Sequence, residues 1–330
     1  MKLVAPVVAA LAIWTGVQVT AGDAVLGAQQ RRLSPSSISR VDRDELMRVV
    51  RTLSQPSFEG RRTGTPGGAL ARQFIRDTFR QIGLAPPVRD FLQPFAFVQP
   101  PPGRLSGSAT RTGPIEGANV LAVQKGRQPL ATAVIVSAHY DHLGFVNGAT
   151  YPGADDNASG IAALLAVARY LHAHPPAHTV VFAAFDAEEQ GLQGAKAFVQ
   201  SPPVPLTTIA LNVNFDMVSR NDRHEIYAAG TFQNPSLRPL VAEVQQRTSV
   251  AIKFGHDRPD ARGSTDDDWT LQSDHGVFHQ AGVPFIYFGV EDHRDYHKAT
   301  DTADKIEPAF FGDVVEMLVD FVITADQRLP

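Results

Sequence analysis

The chain has no cysteine among its 330 residues. That absence excludes disulfides, thiolate metal ligands, a cysteine nucleophile and a lipid-modified N-terminal cysteine. Any metal must therefore be held by His, Asp and Glu. Long runs of one charge are missing too. A net charge of −4 with no extended basic stretch argues against a nucleic-acid partner. No Gly-x-Ser-x-Gly elbow is present, which argues against a serine hydrolase. The Gly-rich stretch from Glu59 to Gly68 lacks the Lys-Ser/Thr ending of a phosphate loop, so it reads as a turn before a helix over 69–82. There is no internal repeat.

What remains is ordinary globular material, 43% hydrophobic and 19% charged, long enough for one large α/β domain or two small ones. Lys2, the apolar run Leu3 to Trp14 and the small residues that follow read as a signal peptide over 1–24. Val19-Thr20-Ala21 and Gly22-Asp23-Ala24 are the alternative cleavage sites. The run is shorter than the roughly 20 residues of a spanning helix. Export to the periplasm or medium is expected, with no stable membrane association once the signal is removed. Residues 25–40 are expected to be a polar, flexible segment, and 41–330 the folded domain.

The domain is organised around three polar nodes, each attached to an apolar run. They are Ser137-Ala138-His139-Tyr140-Asp141-His142, Gly153-Ala154-Asp155-Asp156-Asn157, and Asp186-Ala187-Glu188-Glu189-Gln190. Periodicity predicts helices over 41–53, 69–82, 157–172, 191–200, 237–246, 269–280 and 308–325. Strands are expected over 118–123, 131–138, 179–185, 209–215, 225–229 and 284–288, with an edge strand or hairpin near 91–98. The runs 118–123 and 131–138 are expected to be neighbours. The alternation implies a single three-layer α/β domain, with a central mixed, mainly parallel sheet flanked by helices. His172, His174 and His178 fall at the far edge from the nodes and are not expected to be ligands. Asp266 to Asp268 reads as a solvated helix start.

In such a sheet the polar strand ends gather at the carboxyl edge. His139, Asp141, Asp155, Glu188, Glu189, Asp216 and His297 all fall there. Nitrogen and oxygen ligands of this kind suggest a zinc hydrolase. A two-metal site needs a bridging carboxylate, terminal ligands, and a base that is not a ligand. In His-x-Asp, His139 can ligate while Asp141 accepts its other ring N–H. Of Glu188 and Glu189, one can ligate while the other faces the water.

The runs Ala138 to Gly144, Gly153 to Gly160 and Asp186 to Gly191 resemble metallopeptidase family M28, the co-catalytic dizinc aminopeptidases of bacterial leucyl and Streptomyces type. Asn214-Phe215-Asp216-Met217, Ser273-Asp274-His275 and Tyr296 to Thr302 are similar as well. The resemblance implies the zinc-dependent exopeptidase fold and two Zn2+ per chain. It makes Asp155 the bridging carboxylate, His139 and Asp216 the ligands of one metal, and Glu189 and His297 those of the other. Glu188 is then the general base and acid, Asp141 orients His139, and Tyr296 donates a hydrogen bond to the oxyanion. Asp156 caps the helix that follows. The implied substrates are peptides with a free N-terminus. Too few residues separate the 95–97 region from the 131–138 strand for a protease-associated insert. Alternatives on the same fold are a mono-zinc glutaminyl cyclase and a dizinc carboxypeptidase or aminoacylase. A non-catalytic ectodomain would have lost ligands, and none is missing here.

Overall fold

The computed structural model describes residues 39–98, 113–128, 132–259, 263–265 and 267–329. The expected signal peptide, most of the 25–40 segment, the Pro100 to Pro102 cluster and Asp266 lie outside the described residues. In chain order the strands are β1 Leu92–Phe97, β2 Ile115–Gln124, β3 Ala133–His139, β4 Gly144–Val146, β5 Ala149–Tyr151, β6 Thr179–Phe185, β7 Ile209–Phe215, β8 Glu225–Ala229, β9 Ala251–Phe254 and β10 Phe285–Gly289. The helices are α1 Arg43–Leu53, α2 Pro66–Ile82, α3 Gly160–Ala173, α4 Gln193–Gln200, α5 Arg238–Gln245, α6 His275–Gln280 and α7 Pro308–Arg328.

Eight strands form one mixed sheet in the order β1-β2-β6-β3-β7-β10-β8-β9, and β4 and β5 make a separate hairpin. The four central strands, β6, β3, β7 and β10, run parallel, and antiparallel partners join at β2 and β8. The expected fold class therefore holds. The expected pairing of 118–123 with 131–138 does not, because β6 lies between β2 and β3. Both edges of β3 are taken by parallel strands, β6 returning by way of α3 and β7 by way of α4. The strand β9 and the β4–β5 hairpin are additions to the expected elements. The single helix expected over 269–280 breaks into a short turn at Trp269–Leu271 and α6.

Period-two alternation explains why the central strands read as continuous apolar runs. On β3, Val134, Val136 and Ala138 enter one core with α1, α2, α3, α5 and α7, while Ile135 enters the other with α4 and α6. On β6, Val180, Phe182 and Ala184 face the first core, and Val181, Ala183 and Phe185 the second. Truncating Phe182 would cost about 3–5 kcal/mol. Before α3, the turn Ala154–Ser159 leaves helical geometry at Asp156 and Asn157, and the peptide bond between these two is cis. No helix among the described residues is long and apolar enough to cross a membrane.

Candidate metal and active site

Four parallel strands end at one edge of the sheet, and each delivers a polar residue there. His139 closes β3, Glu188 and Glu189 follow β6, Asp216 follows β7, and the segment after β10 carries His293, Tyr296 and His297. Asp155 and Asp156 come from the turn before α3. Strand direction alone thus collects the set.

Asp156 lies at its centre. Its Oδ1 is 3.3 Å from His139 Nε2, and its Oδ2 is 3.1 Å from His297 Nε2. Asp216 Oδ1 is 3.3 Å from the same His139 nitrogen, and Glu189 Oε2 is 3.3 Å from His297 Nε2. Two donor groups therefore share one carboxylate, each on its own oxygen. His142 joins the second group, with Nδ1 2.7 Å from Glu189 Oε1 and 3.7 Å from Asp156 Oδ2. The shorter distance is that of a hydrogen bond. Nδ1–H donating to Oε1 leaves Oε2 facing His297.

The structure thus places Asp156, not the expected Asp155, between the imidazoles. Asp155 Oδ1 accepts the Ser219 N–H at 2.9 Å and its hydroxyl at 2.6 Å, and Oδ2 lies 3.2 Å from His293 Nε2. The cause is the backbone of the turn. Asp301 Oδ2 accepts the N–H groups of both Asp155 and Asp156, at 3.0 and 3.1 Å, and Asp156 adopts φ −100°, ψ 95°. With the two amides held on one carboxylate, the side chains diverge. Nor does Asp156 cap α3, as expected of it. Asn157 does so, its Oδ1 accepting the Gly160 N–H at 2.9 Å.

Asp141 also works differently from expectation. Its carboxylate accepts the Glu188 N–H at 2.9 Å and the Glu189 N–H at 3.3 Å. His139 Nδ1 lies 3.8 Å from that carboxylate but 3.1 Å from the Asp141 main-chain carbonyl. The carbonyl orients the ring, and the side chain fixes the Glu188–Glu189 backbone.

Glu188 lines a cavity of about 480 Å3 together with His139, Asp156, Asp216 and Tyr296. Burial pushes its carboxyl well above the usual range; His139 opposes the rise, while Glu189 and Asp274 add to it. Tyr296 stacks on His297, with ring centroids 3.9 Å apart and planes at 23°. Asp274 is fully buried with no hydrogen-bond partner on either oxygen. Burial drives it up to about 7, with relief from His139 and repulsion from Asp216. Burial disfavours a charged His297, yet Asp156 and Glu189 bring it up to about 10. His139 behaves alike: burial opposes its charge, but Asp216 and Glu188 hold it well above the ordinary histidine range. Both imidazoles are drawn toward protonation because the cavity carries an excess of carboxylate. Cations of zinc type, with converging nitrogen and oxygen donors, satisfy the same excess, so the residues fit the metal.

Sequence reasoning missed His142 and Asp301. His142 belongs to the same node as His139 and Asp141, but nothing in the order of residues shows that its ring turns inward. Asp301 lies four residues past His297 and acts through the backbone, which leaves no signature in residue type.

A buried His-carboxylate centre at the carboxyl edge of a mixed α/β sheet defines a metal-dependent hydrolase. The profile of peptidase family M28 matches residues 119–322, and the chain belongs to this family of zinc metallopeptidases. A probable zinc metalloprotease of Pyrenophora tritici-repentis (strain Pt-1C-BFP) is 28% identical over 244 residues, which cover 64% of this chain and 49% of that protein. The chain spans about half the length of the first curated relatives it matches. Among solved structures, BSAP, a zinc aminopeptidase from Bacillus subtilis, superposes with a TM-score of 0.69 at 17% identity, covering 88% of this chain and 96% of that one. A glutaminyl cyclase of Porphyromonas gingivalis reaches 0.65 at 18% identity, covering 86% and 99%. At such identities the likeness is one of fold.

Proposed function

We propose that the protein is an exported dizinc aminopeptidase that removes N-terminal residues from peptides. The observation carrying this reading is the Asp156 carboxylate, which turns one oxygen to His139 and the other to His297. A pair of metal ions about 3.5–4 Å apart requires a shared carboxylate of this kind. His139, Asp156 and Asp216 would hold one zinc, and Asp156, Glu189 and His297 the other. Bound zinc supplies Lewis-acid polarisation of the scissile carbonyl and acidifies water in the site.

Glu188 is left free of both donor groups. Its carboxylate takes a proton from the attacking water and then delivers it to the departing amine. The raised proton affinity that burial gives Glu188 favours its holding the proton between the two transfers. Asp141 keeps the Glu188 backbone in register with the cavity. Tyr296, on the cavity wall, donates to the oxyanion as charge develops there. The ammonium group of a free N-terminus meets the carboxylate excess, which favours exopeptidase action. Peptides with a free N-terminus are accordingly the proposed partners, and nucleic acid is not. The N-terminal sequence supports a periplasmic or secreted location, with no membrane attachment after its removal.

The test is a panel of amino-acid p-nitroanilides with N-acetylated controls, with metal quantified in the same sample. We expect cleavage of free-amine substrates only, close to two zincs per chain, and loss of about 10²–10⁴ in turnover in Glu188→Gln at unchanged metal content. Activity on blocked substrates moves the assignment to an aminoacylase or endopeptidase. One zinc per chain with cyclisation of N-terminal glutamine makes it a cyclase.

A further inference from the structure

We propose that Arg61 is a positioning residue of the metal centre, clamping from beneath the two segments that carry His139 and Asp156. The inference rests on the dizinc reading only in naming the metal. Arg61 is fully buried, and all five of its N–H donors go to main-chain carbonyls. Nε donates to Tyr140 at 2.8 Å; Nη1 donates to Leu53 at 2.9 Å and Pro152 at 2.6 Å; Nη2 donates to Gly153 at 2.8 Å and Asp156 at 3.5 Å. The Tyr140 carbonyl lies between His139 and Asp141. The Gly153 and Asp156 carbonyls bracket the turn that aims the Asp156 side chain. One planar guanidinium thus ties both segments to the end of α1.

The backbone that places Arg61 is strained. Glu59, Gly60 and Arg61 are consecutive left-handed residues at φ 49°, 66° and 53°. For the two that are not glycine this costs on the order of 1–2 kcal/mol each. Gly60 cannot be replaced, because a Cβ there would stand 2.4 Å from the Tyr151 carbonyl oxygen and 2.8 Å from that of Gly144. The loop is therefore wedged beneath the β4–β5 hairpin, with its arginine turned inward. Burying a cation is costly unless its surroundings compensate it. Burial here pulls the Arg61 guanidinium down to about 10, and five carbonyl dipoles with the charges of Asp156, Asp301, Asp141 and Glu189 offset the rest, so that it stays charged at neutral pH. A simple turn before α2 needs neither the strain nor the buried charge. A turn whose purpose is to hold Tyr140, Gly153 and Asp156 in place needs both. A lysine keeps the charge but has no planar fork to span the carbonyls.

Zinc alone is the probe. Arg61→Lys should bind zinc about 10–100-fold more weakly in chelator competition, as other supports behind metal ligands do. The zinc-induced rise in melting temperature should shrink, beyond any fall in the melting temperature measured in EDTA. Wild-type zinc affinity in a folded Arg61→Lys protein overturns the proposal, as does a melting temperature lowered equally with and without zinc. Amide exchange of the wild-type protein supplies a readout independent of the variant's folding. The amides of residues 154–156, which Asp301 accepts, should stay protected in EDTA, since the clamp holds their turn against Asp301 without metal; free exchange there until zinc is added overturns the proposal. Failure of the dizinc reading shows separately, as a zinc content of the wild type other than two per chain.

Discussion

Replacing Asp156 and Asp155 one at a time by asparagine separates two readings of adjacent, identical residues. Asparagine keeps the shape of aspartate but turns one oxygen into an NH2 donor and removes the charge. Asp156 faces His139 at 3.3 Å, His297 at 3.1 Å and His142 at 3.7 Å. After substitution only one of the two donor groups can keep an oxygen at this position. We expect zinc to fall from two per chain to one or fewer. We also expect kcat/KM to fall by about 10³ or more, roughly 4 kcal/mol of transition-state stabilisation at 1.36 kcal/mol per tenfold.

Asp155→Asn removes nothing from the cavity. Its Oδ1 can still accept the Ser219 N–H and hydroxyl, and only the 3.2 Å approach of Oδ2 to His293 changes character. The expected cost is about 1 kcal/mol of stability, with zinc content unchanged. The assay is metal analysis after dialysis against a weak chelator, kcat/KM on a free-amine p-nitroanilide, and a melt in EDTA to establish folding. A folded Asp155→Asn that loses zinc, beside an Asp156→Asn that keeps two, refutes the assignment.

Two further substitutions probe the surroundings. In His142→Ala, Glu189 loses its 2.7 Å hydrogen bond, so one zinc should weaken about 10–100-fold while the other stays. A chelator titration identical to that of the wild type refutes this. Asp274 titrates near 7 in the folded protein, because burial and Asp216 outweigh the relief from His139, and near about 3.9 in the unfolded chain. The folded state therefore holds the extra proton between those values, and this group's contribution to stability falls as pH rises through them. Without metal, the melting temperature of Asp274→Asn relative to wild type should climb from about pH 4 to pH 7 and then level off. A flat difference refutes the assignment.

The architecture was legible because β3, β6, β7 and β10 are buried on both faces and read as unbroken apolar runs. The nodes following such runs had to lie together if the strands were parallel. Strand order was less legible. Nothing local in 118–123 or 131–138 shows that β6, delivered by α3, inserts between them. At the site, the resemblance of the motifs to family M28 implied both donor groups but put the shared carboxylate on Asp155, where the structure has Asp156. That choice is made by main-chain torsions and by Asp301, which lies 146 residues away from Asp155 in sequence. The role of Asp141 was misplaced for a similar reason. His-x-Asp suggests a side-chain contact, whereas here the main-chain carbonyl makes it.

The two donor groups differ in how they are held. His139 and Asp216 sit at the ends of doubly buried strands, where packing fixes the backbone. Asp156 and His297 are borne by loops, and Asp301 ties these loops together by gripping the Asp155 and Asp156 amides from four residues beyond His297. Three turns of the site hold a non-glycine residue in the left-handed region: Ala187 before Glu188, Met217 after Asp216, and His297 itself, at φ 58°, 56° and 52°. Each costs on the order of 1–2 kcal/mol and persists only where its surroundings over-determine it. The surroundings are specific. The Ala187 turn is held by Asp141 and Asp186, and the Met217 turn by Asn157, whose Oδ1 accepts the Met217 N–H at 3.2 Å. The carboxylates that crowd the cavity add electrostatic stress of their own. Strand ends packed from both sides can carry that load. The loop-borne half depends instead on polar ties, among them Asp301 and His142, so weakening those ties should loosen the Glu189–His297 group before the His139–Asp216 group.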